Sequence, residues 1–77
     1  MKLKVKLVSI FAKYAKEDQD GRTRIEGPAT IQDLAEYLGL PIQRVRIMTV
    51  NGKQGDLETT LSDNDEVYIF PPAIGGG

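Results

Sequence analysis

The sequence predicts an α+β domain in which a mixed sheet of four to five strands carries one main helix on one face. Three features predict it. A run near the start alternates apolar and basic residues, a single amphipathic stretch in the middle has capping residues at both ends, and a second alternating run follows late in the chain. With 77 residues there is material for one core and no more. A chain of this size buries roughly 60–65% of the surface its unfolded form exposes, so modest stability is expected.

The first strand is expected over Lys2 to Ile10, where Leu3, Val5 and Leu7 point one way and Lys2, Lys4 and Lys6 the other. Ser9 interrupts the inward row, and the apolar residues then cross to Val8 and Ile10. The polar stretch Lys13 to Gly21 ends in Asp-Gly, a hairpin-turn dipeptide, and Arg22 to Glu26 reads as a short second strand closed by Gly27-Pro28. Thr30 is placed to cap a helix, with Asp33 three residues on in a capping-box position. Ile31, Leu34, Ala35 and Leu38 then make one apolar stripe, and Gly39 followed by Pro41 ends the helix. Arg44 to Val50 is a third strand running into Asn51-Gly52, a strong hairpin signal. The polar segment Lys53 to Thr60 follows, with Leu57 and Leu61 as anchors. Ser62 to Asp65 is a turn in which Asn64 suits a positive φ. Glu66 to Phe70 is the last strand, and Pro71 stops its ladder. This order is that of the β-grasp fold, the arrangement of ubiquitin. It predicts that Ile31, Leu34 and Leu38 pack on Leu3, Val5, Leu7, Ile25, Val67 and Ile69.

Composition removes several function classes. There is no Cys, so thiolate metal sites and Cys nucleophiles are excluded, and no His, the usual near-neutral acid–base group. No Gly-rich phosphate loop precedes a helix. Ten basic against eleven acidic residues argue against a broad nucleic-acid-binding face. No apolar run approaches a membrane span, and Met1-Lys2-Leu3-Lys4 enters alternation without a signal-peptide pattern, so a cytoplasmic chain is expected. A catalyst acting alone is not expected.

The chemistry points to the other end. Residues 1–70 are expected to form the folded domain and residues 71–77 a flexible tail, Pro71-Pro72-Ala73-Ile74-Gly75-Gly76-Gly77. Two prolines favour an extended projection, and glycines without Cβ let a backbone thread a narrow slot. The reactive group would then be the carboxylate of Gly77. A frayed or artificial chain end is the competing reading of the glycines taken alone. Phe70, Tyr68, Val8 and Ile10 are expected on the sheet face away from the helix, as an apolar docking patch beside the tail. Cover by loops, or simple cross-strand stiffening, is the plainer account of the same residues.

The run Leu61-Ser62-Asp63-Asn64-Asp65-Glu66-Val67-Tyr68-Ile69-Phe70-Pro71-Pro72 with a glycine terminus resembles the MoaD/ThiS-like sulfur carriers of ubiquitin fold. It is most similar to the small subunit of molybdopterin synthase (MoaD), on the strength of the Phe70-Pro71-Pro72 step. Phe11-Ala12 and Val50-Asn51-Gly52-Lys53 sit where that family has comparable segments. The family usually ends in two glycines where this chain has three, and usually has Gly where Asn64 stands. The segment between the first strand and the helix is also shorter than usual.

The resemblance implies a non-catalytic carrier. An E1-like adenylating enzyme would use ATP to activate the Gly77 carboxylate, and a sulfur donor would convert it to a thiocarboxylate. The large subunit of molybdopterin synthase would then accept the tail and pass the sulfur to a pterin precursor. This chain itself would hold no cofactor and no metal. Gly75 and Gly76 would thread the partner's slot, Ala73 and Ile74 would fill pockets at its mouth, and Pro71 and Pro72 would set the exit. Tungsten-pterin, thiazole and cysteine synthesis are related destinations for the sulfur. A ubiquitin-like modifier joined through Gly77 to target lysines is a different class, and a passive interaction domain a third.

Overall fold

The computed structural model describes residues 1–72. Its elements in order are β1 (Lys2–Leu7), a 3-10 turn (Ser9–Tyr14), β2 (Thr23–Arg24), β3 (Ala29–Thr30), α1 (Ile31–Leu38), a second 3-10 turn (Ile42–Arg44), β4 (Ile47–Val50), β5 (Lys53–Gln54), β6 (Thr60–Leu61) and β7 (Glu66–Phe70). The main sheet has five strands in the order β2-β1-β7-β4-β5, and β3 pairs with β6 in a separate two-stranded sheet. The last strand therefore lies in the middle, parallel to β1 and antiparallel to β4. This is the mixed-sheet β-grasp architecture with one main helix, as expected.

Helix α1 forms for the reasons visible in its sequence. The Thr30 hydroxyl accepts the backbone N–H of Asp33 at 3.2 Å, and the Asp33 carboxylate accepts the Thr30 N–H at 2.9 Å. Two otherwise unpaired donors at the helix start are thus satisfied reciprocally. At the other end Gly39 takes φ +81, where a side chain would be strained. Ile31, Leu34, Ala35 and Leu38 are buried in one core cluster with Leu3, Val5, Leu7, Val67 and Ile69, and Ile25 packs partly buried against it. The same cluster takes in Phe11, Leu40, Val45, Met48 and Leu61.

Several boundaries differ from expectation. Strand β1 stops at Leu7, not at Ile10, because Ser9 turns the backbone to φ +58 and the chain winds into the first 3-10 turn. That turn aims Phe11, only 1% exposed, into the core, so it closes one end of the sheet. The second strand is two residues long, not five, and pairs Lys2 with Arg24 and Leu3 with Thr23. Asp20-Gly21 lies in the connection but does not make a two-residue hairpin, since Leu7 and Thr23 are separated by the 3-10 turn and a loop. Asp18 organises that loop. Its carboxylate accepts the backbone N–H groups of Asp20 at 2.8 Å and Arg22 at 3.1 Å and the Arg24 Nε–H at 3.3 Å.

The third strand is confined to Ile47–Val50, with Ile42–Arg44 spent on the second 3-10 turn. Asn51 and Gly52 adopt φ +53 and +84, the left-handed pair a tight hairpin needs, and Asn64 adopts φ +69 in the turn before β7. The β3–β6 pair has no counterpart in the expected order. It joins Ala29 to Leu61 and Thr30 to Thr60, and so tethers the helix start to the segment leading into β7.

Candidate functional site

The site is the outer face of the sheet around the end of β7. Alternation along β7 buries Val67 and Ile69 and leaves Tyr68 and Phe70 half-buried on the face away from α1. The strand registers extend this into rows. Lys6, Tyr68 and Thr49 lie side by side, as do Phe70 and Ile47. The rings of Tyr68 and Phe70 stack with centroids 6.2 Å apart and planes inclined by 20°. Ile47 is 43% exposed, which for a large aliphatic residue marks surface left without an internal partner.

Val8 is half-buried and still extended, and its N–H donates to the Ile69 carbonyl at 3.1 Å. It prolongs the β1 ladder by one residue, opposite Phe70. Ile10 departs from the expected face. The strand has ended before it, and the residue stands exposed on the first 3-10 turn, beside Pro41 and Arg44. The structure thus brings Tyr68, Phe70 and Val8 together and sets Ile10 apart. Ile47, which completes the patch, went unrecognised in the sequence. The signal was present, because in Ile47-Met48-Thr49-Val50 the buried Met48 assigns Ile47 to the opposite face.

Charge is distributed simply here. Lys4 stands opposite Glu66 and Lys6 opposite Tyr68, so the apolar patch has a lysine row along one side. Pro71 and Pro72 follow Phe70 directly and are half-buried. The expected contributions of Ala73, Ile74, Gly75, Gly76 and Gly77 lie outside the described residues. Among the described residues, no group of three or more His, Cys, Asp or Glu side chains could hold a metal ion, and no helix is long and apolar enough to cross a membrane. The resources of the outer face are an aromatic pair, an isoleucine and a strand that delivers the chain to this end of the sheet, which suit docking.

Fold and face together define a small ubiquitin-like protein. The ThiS family matches residues 8–76, and the chain belongs to that family. Two crystal structures of small archaeal modifier protein 1 (SAMP1) from Haloferax volcanii share the fold. One is 24% identical with a TM-score of 0.66, covering 99% of this chain and 100% of the other. The second is 22% identical with a TM-score of 0.67, covering 94% of this chain and 98% of the other. No curated protein matches the chain. Ubiquitin-like carriers of this kind are in general not catalysts themselves and work with E1-like activating enzymes.

Proposed function

We propose that this protein is a cytoplasmic sulfur carrier that acts through the carboxylate of Gly77. An E1-like partner adenylates that carboxylate, with pyrophosphate leaving from ATP. A persulfide sulfur on the donor then attacks the acyl carbon and displaces AMP. A second thiol attacks the donor's sulfur in the resulting acyl disulfide, so that the thiocarboxylate leaves and the donor is left in a disulfide with that thiol. The activation is needed because a free carboxylate resists nucleophilic attack until its anionic oxygen becomes part of a good leaving group. The large subunit of molybdopterin synthase receives the loaded tail, and the sulfur passes to a pterin precursor. The protein itself contributes no cofactor; ATP is bound by the activating partner.

The observation that carries this reading is the ThiS-family match, which runs through the aromatic end of β7 and the prolines as far as Gly76. The Phe70-Pro71-Pro72 step favours the molybdopterin branch. Phe70, Tyr68, Val8 and Ile47 provide the surface that holds a partner while the tail is engaged. Pro71 and Pro72 direct the exit. Ala73 and Ile74 fill the mouth of the partner's slot, and Gly75 and Gly76 thread it.

Intact-protein mass spectrometry after incubation with the cognate activating enzyme, ATP and a sulfur donor is the test. The expected result is the mass gain of one sulfur replacing one oxygen at Gly77, and a terminus that never gains it sinks the proposal. Removing Gly77 retracts the reacting carbon by roughly 3.3–3.6 Å and is expected to abolish sulfur loading. A second reading, a ubiquitin-like modifier, draws on the fold shared with a protein described as an archaeal modifier. Gel-resistant conjugates that vanish when Gly76 and Gly77 are removed are its distinguishing result.

A further inference from the structure

At the head of the β4–β5 hairpin an asparagine side chain takes the place of a strand peptide. The ladder between β4 and β7 ends at the Val50–Val67 pair, because the chain turns at Asn51 with φ +53. Asn51 still engages the next residue of β7. Its N–H donates to the Glu66 carbonyl at 2.8 Å, and the Glu66 N–H donates to its side-chain Oδ1 at 2.9 Å. The side-chain amide thus supplies the carbonyl that an extended strand would offer. Its Nδ2 donates to Asp65 Oδ1 at 2.9 Å. Asp65 is itself fixed: its Oδ2 accepts the Ser62 N–H at 2.7 Å, and its backbone carbonyl accepts the Lys4 N–H at 2.9 Å.

The residue after Asn51 is Gly52, at φ +84, and no atom lies within 4 Å of where a Cβ on it would stand. A backbone nitrogen with no side chain beside it is open to the amide one residue back. Asn64 is the chain's other asparagine, and Asp65 follows it with a side chain that crowds the same approach. Asn51 and Gly52 therefore combine a reactive pair with a hydrogen-bonded restraint on it.

We propose that Asn51 is a deamidation site that β7 keeps closed. The Gly52 backbone nitrogen attacks the side-chain carbonyl carbon of Asn51, the N–H proton is lost and ammonia leaves, giving a cyclic imide. Water then opens that ring at either carbonyl, to aspartate or to isoaspartate. In the folded protein both ends of the amide are committed to β7. Expelling its nitrogen breaks the bond to Asp65, and turning its carbonyl breaks the bond to Glu66. The hairpin must part from the start of β7 before the ring closes, so conversion follows local opening of the sheet.

The product cannot be clamped in the same way. An aspartate in this place has no side-chain donor, so it sets a second carboxylate against Asp65 where the hydrogen bond was. An isoaspartate lengthens the main chain inside a turn fitted to φ +53 and +84. Either change is one-way and loosens the hairpin from the central strand, so it marks molecules whose sheet has opened. The inference does not depend on what Gly77 carries.

The test is timed incubation of the protein, folded and in urea, with peptide-level mass spectrometry that counts conversion of amide to acid at Asn51 and Asn64. Conversion is expected at Asn51 ahead of Asn64, and slower in the folded protein by more than about tenfold. Asp65→Ala is expected to speed conversion in the folded protein by more than about threefold. Asp63→Ala removes the acceptor of the Lys2 N–H from the same turn without touching the Asn51 amide, and is expected to stay near the parent rate. Asn51→Asp is expected to lower the urea midpoint. Equal rates folded and unfolded, faster conversion at Asn64, or equal acceleration by the two aspartate variants would overturn the proposal. So would an Asn51→Asp protein as stable as the parent. The comparison in urea needs no variant, so it stands even if Asp65→Ala does not fold.

Discussion

Asp18 holds the loop before β2 by accepting from two backbone N–H groups and from Arg24. The Arg22 backbone hydrogen bond is the largest effect lowering its pKa, with Asp20, Arg24 and the charge of Lys2 adding to it against the opposing effect of burial. A carboxyl lowered on folding stabilises the native state at pH above its unfolded value, about 3.9, and loses that contribution as pH falls through the lowered folded value. Asp18→Asn is therefore expected to lower the urea midpoint at pH 7, and the gap from the parent protein should close toward pH 2. Denaturation series at the two pH values check this. Gly39 is the second position where one residue decides local geometry. Its φ of +81 meets no steric obstacle in space, so Gly39→Ala should cost only the backbone strain, about 1 kcal/mol, measurable by the same method.

At the scale of elements, the first 3-10 turn matters most and was the least legible. Its neighbours Phe11 and Ile10 make a clear contrast, one 1% and the other 47% exposed. Phe11→Ala is expected to destabilise by about 3–5 kcal/mol, and Ile10→Ala by no more than about 0.5 kcal/mol, in urea unfolding. Alternation through Ser9 reads as a continuing strand because periodicity carries no information about a residue held at φ +58. Helix α1 was legible to the residue, since Thr30, Asp33 and Gly39 are local signals that the tertiary structure only confirms. The β3–β6 pair was not, because a two-residue ladder between Ala29–Thr30 and Thr60–Leu61 is set by where the helix docks. For the candidate site, Tyr68 and Phe70 follow from strand alternation alone, whereas the loss of Ile10 follows from the turn at Ser9 and the gain of Ile47 from the pairing of β4 with β7.

For the whole molecule, the outer face is expected to behave as one unit in docking. Ile47 is exposed, so Ile47→Ala should shift stability by no more than about 0.5 kcal/mol while weakening the complex with the activating enzyme by more than about tenfold. Calorimetric titration against that enzyme, paired with urea unfolding of the variant, separates the two effects. Binding that is unchanged while stability falls would make the face merely structural.

The middle position of β7 has one more consequence. Without it, β1 with β2 and β4 with β5 are two disconnected ribbons, because each pair reaches the other only across Glu66–Phe70. Neither ribbon is expected to persist alone in water. A molecule lacking that stretch loses the candidate docking face together with the sheet, since Tyr68 and Phe70 lie in the very strand that joins the two ribbons.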